Sequence, residues 1–432
     1  MLVTLAGANV PLSGGEGEPS PEIICAAYAR ISRSPLPVHT LRAKATRDLP
    51  GARSFTERIV HHMGHESVAE HAVFNLDLLG VSRLVTEIVE HSRLASYTER
   101  SQRYVRIGGD YLVPQEARDL GLSRAFRTLV REQHGVYQAI SARMARVGNV
   151  RASREDARYA LGLATTTQLG LTANARALAA MLRRLEADPL HESGAVGRRI
   201  RKVVSRVAPS LIAPEGTSSP AESDPFLSAG RPWSDTAASS VPALLWHTPD
   251  PEHTLRRALD FCGEGSWSGS KAPPGAALGL AAPLPRAFEA VQLAFQLVVS
   301  SSAFAQLKRH RMATILIQPY DPSLGLTIPP TVEAAGIAPD LAALAEKSEE
   351  LSIKVATTHP AAAAYLLLNA HRRRVVLILN ARAFHQMAVL RLERHAQWDI
   401  RRQVSLMTSL LWDTLPSLAH SMGLPEMTAE PV

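Results

Sequence analysis

The order of apolar and polar positions divides the chain into helix-patterned and strand-patterned stretches. Apolar residues recur at helical spacing over 54–63, 120–146, 156–188, 252–262, 337–357 and 381–420. That repeat lets one face of a helix be buried. Two segments, "AVFNLDLLGV" at 72–81 and "AVQLAFQLVV" at 290–299, alternate or are rich in β-formers, and each lies just upstream of an arginine cluster. They predict strands. Strands mixed with long helices predict an α/β or α+β unit, helix-rich around a central mixed sheet. One helix candidate departs from the apolar rule. In "NARAFHQMAVLRLERH", offsets of 4, 7, 11 and 15 align Asn380 with Phe384, Met387, Arg391 and His395 on one stripe. A core stripe would be apolar throughout; an amide, a guanidinium and an imidazole fit either a satisfied buried network or a solvated face.

The pattern is interrupted twice. "APEGTSSPAESDPFLSAGRPWSDTAASS" (213–240) has the Pro/Ser/Gly content of a linker, and "GEGSWSGSKAPPGAALGLAAPLP" (263–285) that of a long loop. Its glycines precede no helix of phosphate-loop form. Across the linker the sequence resembles itself. "NARALAAML" begins at Asn174 and "NARAFHQMAV" 206 residues later at Asn380; the arginine clusters end at Arg93 and, 218 residues later, at Arg311. An internal repeat of units of about 200 residues follows. It sets the expected boundaries at 1–212, 213–240 and 241–432.

Composition narrows the class. The chain has no run of about 18 apolar residues, and its opening segment lacks a charged n-region, so a soluble, cytoplasmic protein is expected with no membrane partner. Cys25 and Cys262 cannot build a disulfide framework or a cysteine-rich metal site. The formal charge of +7 comes from 47 Lys and Arg, mostly Arg, against 40 acids. Arg's planar fork suits phosphate and carboxylate recognition. Few aromatics and no isolated basic block make nucleic acid a poorer fit than small phosphorylated ligands. "HRRRVV" (371–376) reads as a solvated face. In "HHMGHESVAEH", His65 and His71 lie six apart, off the i, i+4 spacing of a zincin, so no metal site is expected.

The chemistry gathers in two polar stretches. "EHSRLASYTERSQRY" (90–104) has only two aliphatic side chains, and each unpaired polar group buried there would cost roughly 2–7 kcal/mol. It is a solvated loop or it holds a charged ligand. "QLKRHRMATILIQPY" (306–320) has the same frame with an apolar far end.

These segments, with "GHESVAEH" (64–71), "EDARYAL" (155–161) and "LNARAF…LRLERHAQWDIR" (379–401), resemble the flavin-dependent thymidylate synthases. The signature of that family is Arg-His-Arg, seven residues, then Ser. The resemblance implies two tandem units of that family's fold. It also implies reductive methylation of dUMP with methylenetetrahydrofolate, FAD and NADPH, in active sites shared between the subunits of a homotetramer. Two of these chains would then replace four single-unit subunits as a homodimer.

The two halves depart from the signature in opposite ways. The first keeps Ser101 but reads His91-Ser92-Arg93; the second keeps Arg309-His310-Arg311 but has Pro319 for the serine and Ile317 for Glu99. Arg158 has Ala364 as its counterpart, Arg391 has Leu185, and His395 has Pro189. Carried over position by position, the resemblance assigns Glu99, Ser101, Arg103 and Arg158 to the nucleotide, together with Gln306 and Arg309. It assigns His71, Arg309, His310, Arg311, Asn380, Arg382 and His395 to the flavin, and the catalytic role to Arg391. One composite site type would survive. Two alternatives stay open: a divergent flavoenzyme acting on another pyrimidine nucleotide, and a non-catalytic nucleotide- or RNA-binding paralogue.

Overall fold

The computed structural model describes residues 1–12, 18–146, 150–214, 216, 241–263, 280 and 283–427. The expected linker at 213–240 and loop at 263–285 lie almost wholly outside the described residues. The chain forms two compact units. The first comprises Met1–Glu132, Gly162–Ser228 and Glu350–Leu366; the second comprises Gln133–Leu161, Ala229–Glu349 and Leu367–Val432. Each unit thus counts one short segment from the other sequence half among its own.

Each unit is built on a four-stranded sheet. The first contains β1 (Leu2–Ala8), β2 (Val73–Ser82), β3 (Ala95–Glu99) and β4 (Thr166–Asn174) in the order β1-β2-β4-β3. The second contains β5 (Ala243–His247), β6 (Gln292–Ser300), β7 (Thr314–Ile317) and β8 (Arg372–Asn380) in the order β5-β6-β8-β7. The fold is α+β, with the same strand order twice. Every strand pair is antiparallel, so the sheets are not mixed as expected. The end pairs coincide as well: Val73 opposite Asn174 and Ser82 opposite Thr166 in one sheet, Gln292 opposite Asn380 and Ser300 opposite Arg372 in the other, although the first pairing shifts register between Leu79 and Val81 and the second runs unbroken. Glu99 faces Leu169 and Ile317 faces Val375. The pairing of Glu99 with Ile317 made from sequence is therefore a structural equivalence.

The strand segments at 72–81 and 290–299 form β2 and β6 as their patterns require. Along β2, Phe74, Leu76 and Leu78 are buried and Asn75, Asp77 and Leu79 are exposed, the period of a half-buried strand. In the second unit, Leu293, Phe295, Leu297 and Val299 of β6 join Val375, Leu377 and Leu379 of β8 in one core. Ile400, Val404, Met407 and Leu411 of the helix Trp398–Thr414 close over it at spacings of four, three and four.

Two helical stretches read from the pattern are divided. Residues 156–188 hold the end of the helix Val150–Ala157, a turn, strand β4 and the helix Ala175–Ala187. The threonines and alternating Leu169, Leu171 and Ala173 of β4 gain more from pairing with β2 and β3 on both sides than from helical propensity. Residues 381–420 divide into Ala381–Arg391, Trp398–Thr414 and Pro416–Ser421. Pro416, lacking an N–H, opens the last of these.

A buried carboxylate knits each unit together. Ser82 ends β2, caps the helix Arg83–Glu90 by accepting from Val85 N at 3.1 Å, and donates its hydroxyl to Glu192 Oε2 at 2.6 Å. Its backbone N–H donates to Glu192 Oε1 at 2.8 Å, and Tyr365 Oη–H donates to Oε2 at 2.7 Å. The second unit repeats the device. Ser300 caps Ser301–Leu307 by accepting from Ala303 N at 2.9 Å and donates to Asp399, which also accepts from Tyr159 Oη–H at 3.1 Å. Burial raises the pKa of both carboxyls despite these donors.

The sign of the resulting pH dependence is fixed. A carboxyl whose folded pKa lies above its unfolded value gives stability that is fully present below the unfolded pKa and lost as pH rises through the folded one. Glu192→Gln, which cannot titrate, should therefore gain stability relative to the native chain as pH rises from about 4 to 7. Urea midpoints measured across that range check the trend; a parallel pair of curves would remove Glu192 from the linkage.

Candidate functional site

In the second unit the capped helix Ser301–Leu307 delivers Gln306 and then the turn carrying Lys308 to Arg311. Beside it, β8 ends at Asn380, whose side-chain oxygen accepts from Ala383 N at 2.8 Å and opens the helix Ala381–Arg391. Arg391 is the last residue of that helix, where a cation meets the negative end of the helix dipole. Its Nε donates to His310 Nε2 at 2.9 Å, and its terminal nitrogens donate to the Gln306 carbonyl at 3.1 Å and to Gln306 Oε1 at 3.4 Å. Burial, and then the Arg391 charge, push the His310 pKa down to about 3. Gln306, His310 and Arg391 are thus one hydrogen-bonded cluster.

The other second-unit candidates are placed differently. Arg309 and Arg311 are exposed, with Arg309 Nε directed at the Ala305 carbonyl at 3.4 Å. Arg382 donates to the Leu284 carbonyl at 3.0 Å and to Glu289 at 2.7 Å, and this bond holds the Glu289 carboxyl below its usual pKa. His395 lies beyond the helix end, exposed, with Arg394 Nε 3.3 Å from its Nε2. The five-residue stripe read from the sequence therefore ends at Arg391. Leu392 caps the helix at its C-terminus, and the turn that follows takes His395 off the shared face.

The arginine run at 371–376 is another correction. Arg373 is fully buried, its guanidinium 4.5 Å from the Phe304 ring centre and 4.0 Å from that of Tyr320. Arg374 is buried too, so the run is not a solvated face. Aromatic faces offset part of the desolvation cost of a cation.

In the first unit Glu99, at the end of β3, is buried and ion-paired with Arg83, with Thr86 Oγ1–H donating at 3.5 Å. Ser101 Oγ accepts from Arg103 N at 3.1 Å, a tight turn that sets the serine and the nine-tenths-buried arginine side by side. The Arg103 guanidinium lies 5.4 Å from the Tyr104 ring centre. His71 ends the short helix Glu66–His71 and meets the Tyr28 ring edge-on at 4.7 Å. Arg158 is buried and belongs to the second unit. Its neighbours are pinned there: Asp156 accepts from Trp398 Nε1 at 2.8 Å, and Tyr159 Oη accepts from Gln397 at 2.9 Å.

The first unit also holds a cavity of about 390 Å³ that sequence reasoning did not assemble. Arg30, Arg33, His65, Ser67, Tyr28 and Phe55 are among its walls. Arg30 stacks over Phe55 at 4.0 Å. Two cations, an imidazole, hydroxyls and two rings line it, a chemistry suited to an anionic, partly aromatic ligand, and the volume is in the range of small-molecule cavities. The signal lies in "GHES", whose His65 fails the spacing of a metal ligand but lines this cavity with Ser67.

The sequence model of the family described as Thymidylate synthase complementing protein matches residues 16–210 and 244–417. The chain is 29% identical over 215 residues to a flavin-dependent thymidylate synthase of Clostridium tetani, covering 47% of this chain and 85% of that protein. A flavin-dependent thymidylate synthase of Geobacter sulfurreducens is 31% identical, over 37% of this chain and 66% of its own length. A UPF0159 protein of Thermoplasma acidophilum matches nearly end to end, 24% identical over 91% of this chain and 93% of its own. Among solved structures, the UMP/dUMP methylase PolB of Streptomyces cacaoi bound with 5-Br dUMP aligns with a TM-score of 0.37 at 19% identity, over 49% of this chain and 92% of that one.

The two asparagine caps generate a prediction independent of ligand. Asn174 and Asn380 share φ near −80° and each accepts from the N–H three residues on at 2.8 Å. Asn174→Ala and Asn380→Ala should each cost about 1 kcal/mol, and Asp at either position should recover most of it. Denaturant titration of the four variants measures this. A much larger loss at Asn380 alone would give that residue a structural duty beyond its cap.

Proposed function

The chain belongs to the thymidylate synthase complementing protein family, and on that premise we propose that it reductively methylates dUMP with methylenetetrahydrofolate as carbon donor and NADPH as reductant. The observation that carries the proposal is the joining of Gln306, His310 and Arg391 into one cluster, although 81 residues separate the last two. These are positions at which the second half keeps the family's pattern and the first half has lost it.

The residues present fit FAD. The cavity offers Arg30, Arg33 and His65 to phosphate or carbonyl oxygens and the rings of Tyr28 and Phe55 to an apolar face. In the second unit Arg309 and Arg311 are exposed cations, and Asn380, its oxygen engaged by the cap, keeps an amide N–H₂ to donate. His71, His310, Arg382 and His395 complete the proposed flavin contacts. Bound flavin supplies hydride transfer; the protein supplies orientation and charge. Ser101, Arg103 and Arg158 hold the nucleotide phosphate through charge-assisted hydrogen bonds, with Glu99 fixing the turn that carries Ser101 and Arg103. Gln306 and Arg309 orient the pyrimidine. The fixed charge of Arg391 stabilises the ring's N3 anion and so raises electron density at C5, which needs no cysteine nucleophile. We further propose a homodimer, with four units as in the family's tetramer, in the cytoplasm.

The purified chain should bind FAD at one site per chain; two equivalent sites would contradict the division of roles, and no binding would favour a decayed paralogue. Arg391→Ala should lower turnover with less effect on nucleotide affinity. Arg103→Ala should weaken dUMP binding by about 1.5–3 kcal/mol, the worth of a hydrogen bond to a charged group. Leu185→Ala, at the position matching Arg391, should act through packing alone; equal catalytic loss from Leu185 and Arg391 substitutions would sink the asymmetric scheme. If the two residue sets act across chains, mixing Arg391→Ala with Arg103→Ala chains restores part of the activity.

A further inference from the structure

The Arg391–His310 contact decides a proton position that no heavy-atom geometry records directly. A guanidinium has five N–H donors and no acceptor. Arg391 Nε lies 2.9 Å from His310 Nε2, in line for an N–H bond. The imidazole nitrogen at that end must therefore offer a lone pair. A doubly protonated ring has none, and the tautomer with hydrogen on Nε2 would set two N–H groups against each other.

We propose that Arg391, beyond the charge it offers the pyrimidine, also positions His310, holding it as the neutral imidazole with its proton on Nδ1 and making it a donor selective for a ligand atom with a lone pair and no hydrogen, such as a carbonyl oxygen. This deepens the reading of the site given above and rests on it only for the ligand's identity. Arg-His-Arg then carries two charges, with a directed neutral donor between them. Arg309 and Arg311 flank the ring in sequence and are exposed, Lys308 precedes them on the same turn, and the cation that reaches the ring from the packed helix is Arg391. Burial first, and then the Arg391 charge, disfavour a second proton. Neither nitrogen can then serve as a general base while Arg391 stays in place.

The same unit contains the opposite case. His371 Nδ1 accepts from Leu368 N at 2.8 Å, and its Nε2 lies 3.1 Å from Glu349. By the same reasoning the ring proton of His371 sits on Nε2. One chain thus supplies both tautomers as mutual references.

The test is nitrogen NMR of the full-length chain with ¹⁵N-histidine, without added ligand, the His310 signals being assigned by their loss in His310→Asn. Expected are a pyrrole-type Nδ1 and pyridine-type Nε2 at His310, unchanged between about pH 5.5 and 8, with the reverse pattern at His371. In Arg391→Met the Nδ1–H preference should vanish and titration should move up toward the ordinary range. A hydrogen on Nε2 in the native chain, titration near 6.5, or an unchanged tautomer in Arg391→Met would each overturn the proposal. Should Arg391→Met not fold, two replacements at His310 decide the matter, because an Asn amide reaches the Nδ1 position and a Gln amide the Nε2 position. With FAD and dUMP as the probes, His310→Asn should retain affinity and His310→Gln lose about tenfold, the scale of one lost hydrogen bond; the reverse order would refute the assignment. Failure of FAD to bind at all would count against the function proposed above, while the tautomer would still be read from the ligand-free spectra.

Discussion

A serine that ends a central strand, caps the next helix and bonds a buried carboxylate is the constraint on which each unit depends. Ser82 with Glu192, and Ser300 with Asp399, tie a strand end, two helix starts and a tyrosine hydroxyl into one network. A carboxylate buried without donors is intolerable, so the donors must all arrive together. Tyr365 and Tyr159 arrive from segments that belong to the opposite sequence half. Completing either unit therefore requires chain from both halves, which couples the fold of each repeat to the presence of the other.

The network also sets where chemistry can be carried. In the second unit it fixes the helix that leads to Gln306 and the His310 turn, and the neighbouring strand launches the helix that ends in Arg391. The first unit repeats the scaffold with different contents: Leu185, at the position matching Arg391, is buried as core. Conversely Glu99 is paired with Arg83 inside the first unit, whereas its counterpart Ile317 packs against the second core. One scaffold thus supports a charged end in one copy and an apolar end in the other. Substitution at strand ends and helix ends leaves the strand order intact.

Arg391 illustrates how an exposed-looking polar residue is drawn into a hydrogen-bonded cluster. Its helix needs a cation at its C-terminus for electrostatic reasons, and any arginine would meet that need. What distinguishes it is the company of His310 and Gln306, which removes the freedom of the guanidinium and dictates the state of the imidazole. Arg373 shows the contrary outcome. In contact with the Phe304 and Tyr320 rings, it has the same chemistry and serves packing.

Much of the repeat was legible in the sequence, because a strand's alternation and a helix's cap are local. The "NAR" starts at 174 and 380, the apolar segments of β2 and β6 and the seven-residue frame from Arg93 to Ser101 follow from neighbours in the chain. Other features depend on residues far apart. The sequence could not show that 166–174 is a strand, since threonines choose by their partners, nor that the helix stops at Arg391 and sheds His395. Nor could it show that Arg373 is buried, that Arg158 is counted with the second unit, or that Arg30 and His65 share a cavity. Local patterning determines most elements, β4 and the end of the helix at Arg391 excepted, because backbone geometry and side-chain periodicity act over a few residues. Only tertiary structure decides which polar groups meet, because hydrogen bonding and desolvation depend on distance in space.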